Sequence, residues 1–553
     1  MSVRSKKKEA SFDVIVVGGG MTGMCAAIAS ARHGAETALV QERPVFGGNA
    51  SSEIRMHICG ASANMVKPNA EETGILREIL LENKRVNDYY NYSVWDRVLF
   101  TAIREQENLS MFLNTTMHDV DTEGHRITAI HCYQMTTEIE WTLRAPVFCD
   151  CTGNGTLGFM AGMPFRTGSE GKAEYHEPHA PEQPDQHRMG NTLLFKAVDR
   201  GHPVAFVPPK GSYTFTEEQL RYRKHADAKP LFGVLEAENK ADPILDNVDN
   251  TTKDMVFDAY CLDYGYWWIE LTGEKADIIE EYEDIRDELI KCVYGVWDHI
   301  KNGGDHGAQN FDLEWVGMLP GMRESRRMQA LYMLNENDVL SNRVFDDAVA
   351  YGGWPMDVHV GGLFNFDNPP SFMYAFPGCY TIPLRSFISR NVPNLLAGGR
   401  ALGASKLAMA SSRVMGTCAV GGQAVGTAAA LCKKYGCTPH DVEAHMKELQ
   451  QLLLKDDCYI PGYKNEDPAD LARTAQVSAG SEKQSAANVI NGVSRTVGED
   501  ENCWQSDGLA GDNGVLSLKW DAPHTLRQVR LTFDPNLCSS IKITLSSKRI
   551  AEQ

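Results

Sequence analysis

The N-terminal pattern of apolar residues predicts a strand, a helix and a second strand in succession. Residues 14–17 (VIVV) form a continuous apolar run, which is typical of a parallel strand buried on both faces. A segment rich in Ala, Met and Ile follows at helical spacing and ends at His33-Gly34. The run TALVQ (37–41) then predicts a second buried strand. This order indicates a βαβ unit within an α/β fold.

Other periodicities appear later in the chain. Residues 279–300 predict a helix, and residues 439–455 predict an amphipathic helix after a proline. The aromatic stretch 260–270 (YCLDYGYWWIE) predicts a strand whose rings either pack in a core or stack on sugar faces. Towards the C-terminus, LSLKW (516–520), VRLTF (529–533) and IKITL (541–545) alternate apolar and polar residues, which predicts half-buried antiparallel strands.

Three glycines join the first predicted strand to its helix. In Gly18-x-Gly20-x-x-Gly23, the first glycine permits a tight turn and the second lets the backbone approach a pyrophosphate. The third lets helix and strand pack closely, and the helix N-terminus then offers N–H groups to phosphates. Glu42, at the end of the second strand, is placed to accept hydrogen bonds from ribose hydroxyls. The complete arrangement favours a dinucleotide site over a glycine-rich packing turn, but it does not separate NAD from FAD.

A second GxGxxG follows another predicted strand, at Gly153, Gly155 and Gly158. A nicotinamide site there would need a second strand ending in an acid about 20 residues later. The chain instead continues into HEPHAPEQPDQH (176–187), which predicts a loop. We therefore expect no second dinucleotide site.

Composition and charge exclude several classes of protein. The chain is 43% hydrophobic and 23% charged, as in ordinary globular proteins, and its net charge of −19 argues against a nucleic-acid partner. The basic run RSKKK (4–8) is interpreted as a solvated tail, and no apolar segment of a signal peptide follows it. The small-residue run 407–431 contains Arg413 and several glycines, so no membrane span is expected.

The 14 cysteines form no CxxC pair and show no zinc or iron–sulfur spacing. They are therefore interpreted as small apolar residues of a reduced, cytoplasmic protein, and no metal site is expected.

Three separated segments resemble the glutathione-reductase-like flavoproteins of the FAD-dependent oxidoreductase family, in particular a bacterial branch with a GGNAS loop. They are ERPVFGGNASSE (42–53), VFCDCTGNGTLGFMAGMPF (147–165) and NLLAGGRALGASKLAMASSRVMGTCAVGGQAVGTAAAL (394–431). GMRESRR (321–327) and DDAVAYGGWPMDVH (346–359) match the same branch. The resemblance covers roughly residues 11–435 and implies FAD as the cofactor.

The resemblance also implies a domain organisation. A Rossmann-type FAD-binding domain, in three layers (β-β-α) around a parallel sheet, would comprise residues 11–165 and 371–435. Residues 166–370 would form an inserted α+β substrate domain, and 436–479 a helical linker. Residues 480–553 would form a small β-rich module, complete or truncated, in which NVINGVSR (488–495) and ENCWQSD (501–507) resemble the start of a discoidin-like galactose-binding domain. The linker and module are as compatible with homo-oligomerisation as with glycan binding.

The predicted FAD contacts come from the fingerprint, from the polar loop after Glu42 and from the resemblance. Arg55 is expected to neutralise negative charge on the reduced flavin, and a hydrophilic surface connection is the alternative interpretation of this loop. The predicted contacts are Gly18, Gly20, Met21, Thr22, Gly23, Glu42, Arg43, Gly48, Asn49, Ser51, Arg55, Val120, Thr152, Gly153, Asn154, Gly399, Arg400, Ser412 and Arg413.

Catalytic candidates are His57, Asp357, His359, Arg323 and Tyr380. In an extended segment, His57 and Cys59 face the same side, towards either the flavin or the core. In MDVH (356–359), a carboxylate can orient an imidazole that acts as a general base, although a structural turn explains the pattern equally well.

The arginine and tyrosine candidates rest on other arguments. Arg323 is predicted on one helical turn with Arg326 and Arg327, and these side chains bind a polar ligand or form surface ion pairs. Tyr380 is placed in the active-site wall by the resemblance.

The sequence thus predicts an FAD-dependent oxidoreductase that transfers a hydride from a polar small molecule, in particular a carbohydrate or glycoside, to flavin. Two alternatives stay open: redox-assisted cleavage of a glycosidic bond without net oxidation, and a flavin-bound binding protein.

Overall fold

The structure is a computed structural model of the 553-residue chain. It describes residues 6–63, 67, 69–223, 225, 265–273, 277–304, 306–362, 364, 366–497, 500–534 and 541–543.

The described residues form short strands and mostly short helices. The strands are β1 Lys6–Ser11, β2 Val14–Val17, β3 Thr37–Val40, β4 Leu109–Phe112, β5 Thr115–Glu123, β6 Arg126–Gln134, β7 Ile139–Arg144, β8 Val147–Asp150, β9 Phe165–Arg166, β10 Asn191–Thr192, β11 Phe195–Asp199, β12 Glu270–Leu271, β13 Phe311–Val316, β14 Arg327–Met328, β15 Ala348–Gly352, β16 Met356–His359, β17 Ser371–Tyr374, β18 Tyr380–Pro383, β19 Leu395–Ala397, β20 Gln476–Ala479 and β21 Leu516–Lys519. The helices are α1 Met21–Arg32, α2 Ile75–Val86, α3 Tyr92–Arg104, α4 Thr156–Met160, α5 Lys172–Tyr175, α6 Glu217–Leu220, α7 Tyr282–Asp298, α8 Glu336–Leu340, α9 Lys406–Ser412, α10 Met415–Tyr435 and α11 Met446–Lys455.

A five-stranded parallel sheet, in the order β19-β8-β2-β3-β4, forms the centre of the fold. β2, β3 and β8 are buried along their whole length, as continuous apolar strands covered on both faces must be. A second sheet, in the order β1-β7-β6-β5, adds a layer of its own. With the helices, these layers confirm the predicted Rossmann-type α/β fold.

Helices α1 and α10 pack against each other through glycines. A Cβ added at Gly422 would lie 2.2 Å from the carbonyl oxygen of Thr22, and one at Gly426 would lie 2.0 Å from that of Ala26. Only glycine allows so close an approach of two helix backbones. In the described part of the chain, α10 is the one helix long and apolar enough to cross a membrane, and 94% of its most apolar window is buried inside the protein.

The basic N-terminal run differs from its prediction. Lys6 to Ser11 form strand β1, which pairs in parallel with β7, instead of a solvated tail. The lysine side chains remain exposed, because β1 is an edge strand.

Outside the parallel sheet, two of the predicted elements have different outcomes. Helix α7 lies within residues 279–300 and confirms that prediction. Residues 322–326, predicted as a helical turn, form no helix, and Arg327 belongs to strand β14. Arg323 and Arg327 are buried against carboxylates, which also excludes surface ion pairs. Of the aromatic stretch 260–270, residues 260–264 lie outside the described residues.

The C-terminal residues confirm one of the predicted strands. LSLK forms β21, which pairs with β20. Residues 529–533 form no strand, and the side chains of Val529, Leu531 and Phe533 are exposed. The alternating pattern alone does not form a strand when no second strand pairs with it. Ile541 and Ile543 instead pack into the core beside the parallel sheet.

A buried carboxylate anchors the start of helix α9. Glu177 accepts hydrogen bonds from the Ser405 hydroxyl, whose oxygen caps α9, and from the N–H of Glu336 at 2.7 Å. Burial raises the pKa of Glu177 to about 7, and these hydrogen bonds oppose part of that shift.

We expect Glu177→Gln, which keeps an acceptor oxygen, to be more stable than the wild type above pH 7 and equally stable near pH 4. A carboxyl group whose folded pKa is raised ionises first in the unfolded chain, so wild-type stability falls as the pH rises from about 4 towards about 7. The full shift corresponds to about 3 kcal/mol at most. Urea unfolding of both proteins at several pH values measures this, and a pH-independent difference between them would contradict it.

Candidate functional site

The glycine turn between β2 and α1 approaches two other chain segments. Gly18 has φ +102°, and a Cβ there would lie 2.2 Å from the carbonyl oxygen of Cys151. The N–H of Gly47 donates to the carbonyl oxygen of Gly19 at 2.9 Å. Gly48 faces Gly20 so closely that an added Cβ would lie 3.1 Å from the Gly20 Cα. The GGN loop therefore lies directly beside the dinucleotide fingerprint.

The turn after β8 completes this side of the site. The buried carboxylate of Asp150 accepts hydrogen bonds from the Thr152 N–H at 3.0 Å, the Thr152 hydroxyl at 2.7 Å and the Gly158 N–H at 2.8 Å. Burial raises the pKa of Asp150, against the effect of these hydrogen bonds. The five-residue helix α4 follows, and the next strand, β9, has two residues and no terminal acid. The second GxGxxG therefore opens no second βαβ unit, as predicted.

Arg400 follows β19 and lies against this turn. A Cβ at Gly153, which has φ +80°, would lie 2.6 Å from Arg400 Nη2. Removal from solvent lowers the pKa of Arg400 to about 10. Gly399 in turn packs on the Thr22 hydroxyl at the start of α1. Chain segments separated by hundreds of residues in sequence thus meet around one space.

A cavity of about 330 Å³ extends from the glycine turns to residues 267–268 and 320–323. Its lining includes most of the predicted cofactor residues: Gly18, Gly20, Met21, Thr22, Glu42, Arg43, Gly48, Asn49, Thr152, Gly153, Asn154, Gly399, Arg400 and Arg413. Four of the five catalytic candidates also line it: His57, Arg323, Asp357 and His359.

Other predicted site residues lie outside the lining. They are Gly23, Ser51, Arg55, Val120, Ser412 and Tyr380. Gly23 has the packing role predicted for it, because a Cβ there would lie 1.8 Å from the carbonyl oxygen of Gly18. Ser51 and Ser412 are buried.

The other three residues of this set have partners elsewhere. The Arg55 guanidinium lies 4.4 Å from the Trp315 ring centre, and its Nε donates to the Ser52 carbonyl oxygen, so its contacts lie outside the cavity lining. Val120 pairs with Ile130 inside the second sheet. The Tyr380 hydroxyl lies 2.9 Å from Ser411 Oγ, in the core instead of the active-site wall.

A buried network of charged side chains forms the far wall. Glu270 accepts from Arg323 Nη2 at 2.9 Å and faces His359 Nδ1 at 2.8 Å. Asp357 faces His359 Nε2 at 2.9 Å and Arg413 Nη2 at 3.3 Å. Glu270 comes from β12, Asp357 and His359 from β16, and Arg413 from the end of α9.

The charges of this network determine its protonation. Burial alone would raise the pKa of Asp357, but His359, Arg413 and Arg323 outweigh it and hold the pKa well below its usual value. Both ring nitrogens of His359 face carboxylate oxygens, which is the geometry of an imidazolium that donates twice. With both nitrogens so engaged, His359 is better suited to hold charge than to accept a proton.

His57 lies on the cavity wall next to an aromatic ring. It is half-buried, and its ring centre lies 5.0 Å from that of Trp267. Cys59 also lines the cavity, as expected for positions i and i+2. Burial raises the pKa of the Cys59 thiol to about 11, so the thiolate needed for thiol–flavin chemistry is disfavoured.

Sequence reasoning missed part of the site. Glu270 joins Arg323 to His359, although the three belong to separate segments. Trp354, Trp267 and Trp268 all line the cavity. Two sequence signals were available for these residues. Glu270 directly follows the WWI run, and Trp354 stands in the motif GGWP (352–355).

The cavity has the features of a dinucleotide site. Among the described residues, several polar atoms on lining side chains are buried without a hydrogen-bond partner: Arg400 Nε, Arg413 Nε, Asn154 Oδ1, Asp357 Oδ1 and Trp354 Nε1. Buried polar atoms rarely lack partners, so these are expected to bond to a ligand or water. Gly20 and Gly48 have no side chains that would keep a ligand from the backbone beside the N-terminus of α1, where a pyrophosphate can bind. The residues present therefore fit FAD.

Comparison with known families gives the same cofactor. Residues 13–453, most of the chain, match the model of the family described as "FAD dependent oxidoreductase".

Among solved structures, the chain matches a geranylgeranyl bacteriochlorophyll reductase-like protein from Thermoplasma acidophilum (14% identity, TM-score 0.36, covering 82% of this chain and 85% of that one). Another is Sdh1 of Mycobacterium smegmatis in complex with UQ1 (15% identity, TM-score 0.31, covering 81% of this chain and 73% of that one). A third is the anhydrotetracycline hydroxylase OxyS from Streptomyces rimosus (11% identity, TM-score 0.35, covering 81% of this chain and 68% of that one).

Proposed function

The chain belongs to the FAD-dependent oxidoreductase family and is an enzyme that uses FAD, and we propose that it oxidises a hydroxyl-bearing carbon of a polar small molecule. One observation carries this proposal: His57 and the network of Arg323, Asp357 and His359 line the same cavity as the glycine turns. Proton-accepting and charge-stabilising groups thus stand where a substrate would meet the cofactor.

In the proposed reaction, His57 takes the proton of the substrate hydroxyl as a carbonyl forms at the adjacent carbon. The hydrogen on that carbon leaves with its electron pair, and bound FAD supplies the two-electron acceptor for this hydride. Base catalysis of this kind requires the imidazole to reach the hydroxyl proton directly or through one water.

The buried network would stabilise negative charge as it develops. Glu270 fixes Arg323 and His359, and Asp357 fixes His359 and Arg413. With His359 protonated, three cations face two carboxylates, which leaves one positive charge in a buried wall. A fixed charge in a site of low dielectric acts strongly on a forming alkoxide.

A hydroxylated substrate with an apolar face fits the rest of the lining. Trp267, Trp268 and Trp354 offer ring surfaces beside the charged groups. Aromatic rings pack against the C–H faces of sugars, so sugars and glycosides are the first substrates to test.

The test is anaerobic mixing of the FAD-loaded protein with sugars, glycosides and organic acids, while the absorbance of the oxidised flavin is recorded. The proposal expects at least one hydroxylated compound to bleach the flavin and to yield the corresponding carbonyl product. Dithionite serves as the control that the bound flavin can be reduced.

The other outcomes separate the alternatives. Cleaved glycoside without net consumption of an oxidant would show redox-assisted bond cleavage instead. A flavin that dithionite bleaches but no compound of the panel reduces would favour a flavin-bound binding protein and contradict the proposal.

A further inference from the structure

Three histidines and a glutamate converge in the inserted segment, and none of them lines the cavity described above. Glu217 is the first residue of α6, and His225 follows that helix. His299 directly follows α7, and His306 lies in the loop before β13. One ligand atom from each of these four side chains lies within 4.8 Å of the others.

The distances within this cluster are those of a ligand set. Glu217 Oε2 lies 3.0 Å from His299 Nε2 and 3.3 Å from His306 Nε2, and Glu217 Oε1 lies 3.0 Å from His225 Nε2. The His299 and His306 Nε2 atoms are 3.2 Å apart. The ligand atoms of a tetrahedral zinc ion, with bonds of about 2.0–2.1 Å, are separated by about 3.3 Å.

The imidazoles point inwards from three directions. Their ring centres form a nearly equilateral triangle, with separations of 5.1, 5.2 and 5.2 Å. All three histidines are buried, while Glu217 closes the cluster on its outer side with 64% of its side chain exposed.

The surroundings orient at least one ring as a metal ligand requires. His299 Nδ1 lies 3.0 Å from the carbonyl oxygen of Phe215, which can only accept a hydrogen bond. Nδ1 therefore carries the proton, and the Nε2 lone pair is directed into the cluster, as in the second shell of many zinc sites. A Cβ at Gly304 would lie 2.7 Å from His306 Nε2, so the backbone passes close to this ring.

We propose that Glu217, His225, His299 and His306 bind one divalent transition-metal ion, with zinc as the best fit. Imidazole suits zinc and its neighbours, and a set of four protein ligands is typical of structural sites. The ion would tie Glu217 of α6 and His225 to the end of α7 and to the loop before β13. It would therefore stabilise the inserted domain without taking part in the flavin chemistry.

The expectation of no metal site rested on cysteine spacing, and this proposal departs from it. Its ligands are separated by 8, 74 and 7 positions, so only the fold brings them together.

The test uses the full-length, FAD-loaded protein purified without a histidine tag. We expect elemental analysis by mass spectrometry to find about one zinc per chain. Chelation should lower the melting temperature of the protein, and added ZnCl₂ should restore it. The flavin absorbance, recorded in the same samples, reports whether the cofactor domain stays intact.

Variants identify the ligands. His299→Ala should lose the zinc, and the milder Glu217→Gln should bind it at least about 10-fold more weakly. His202→Ala, which alters an exposed histidine of the same domain, should retain it. If His299→Ala does not fold, Glu217→Gln and chelation of the wild type still show whether the cluster binds zinc.

Two results would overturn the proposal. One is a metal-free wild type whose melting temperature does not respond to Zn²⁺, Fe²⁺, Mn²⁺ or Cu²⁺. The other is Glu217→Gln protein that holds zinc as tightly as the wild type.

Discussion

Replacing Gly18 with alanine is expected to give protein that purifies without FAD and unfolds at a markedly lower temperature. The added methyl group would lie 2.2 Å from the carbonyl oxygen of Cys151, in a backbone held at φ +102°. Backbone strain of this kind costs roughly 1–3 kcal/mol, and the clash moves the turn that would face the pyrophosphate. Loss of the bound cofactor removes its own contribution to stability as well.

Gly34→Ala is the matched control, because Gly34 also has positive φ (+85°) but nothing lies within 4 Å of the added methyl group. We expect it to cost about 1–2 kcal/mol and to retain FAD. The ratio of flavin to protein absorbance and the melting temperature distinguish the two variants. Equal flavin content in both would show that the close approach of Gly18 to Cys151 is not needed for binding.

Replacing His57 with asparagine is expected to slow reduction of the flavin by substrate about 100-fold or more, the usual loss for a general base. The rise of the reduction rate with pH should also disappear, because that rise reports ionisation of the base. Rapid mixing under anaerobic conditions, across a range of pH, measures both effects on protein that still holds FAD.

His359→Gln should behave differently. It removes a charge from between Glu270 and Asp357, so we expect slower reduction that keeps the pH dependence of the wild type. If the pH dependence survives in His57→Asn and is lost in His359→Gln, then His359 is the base and the proposed roles are reversed.

Local patterns predicted many of the residues that line the cavity. Gly18, Gly20 and Glu42 stand within one short βαβ unit, where spacing alone fixes how the backbone turns. The GGR turn at Gly399 and Arg400 was placed by resemblance, and the structure brings it to the same cavity.

The far wall could not be predicted in the same way. Glu270, Arg323 and His359 come from distant segments, and their ion pairs depend on how these segments fold against one another. Tyr380 and Arg55 were misplaced for a related reason, since a polar residue near the right loop can turn into the core or onto a neighbouring ring. The strand predicted at 529–533 was wrong. Alternating apolar and polar residues can define one face of a strand, but they do not show that a second strand is available to pair with it.

The most direct test of the central claim is a crystal structure of the protein with FAD bound. Our account predicts the pyrophosphate at Gly18–Gly20 and the N-terminus of α1, with the isoalloxazine ring towards His57 and Arg323. A ring directed towards Glu42 instead, away from the buried network, would contradict the account.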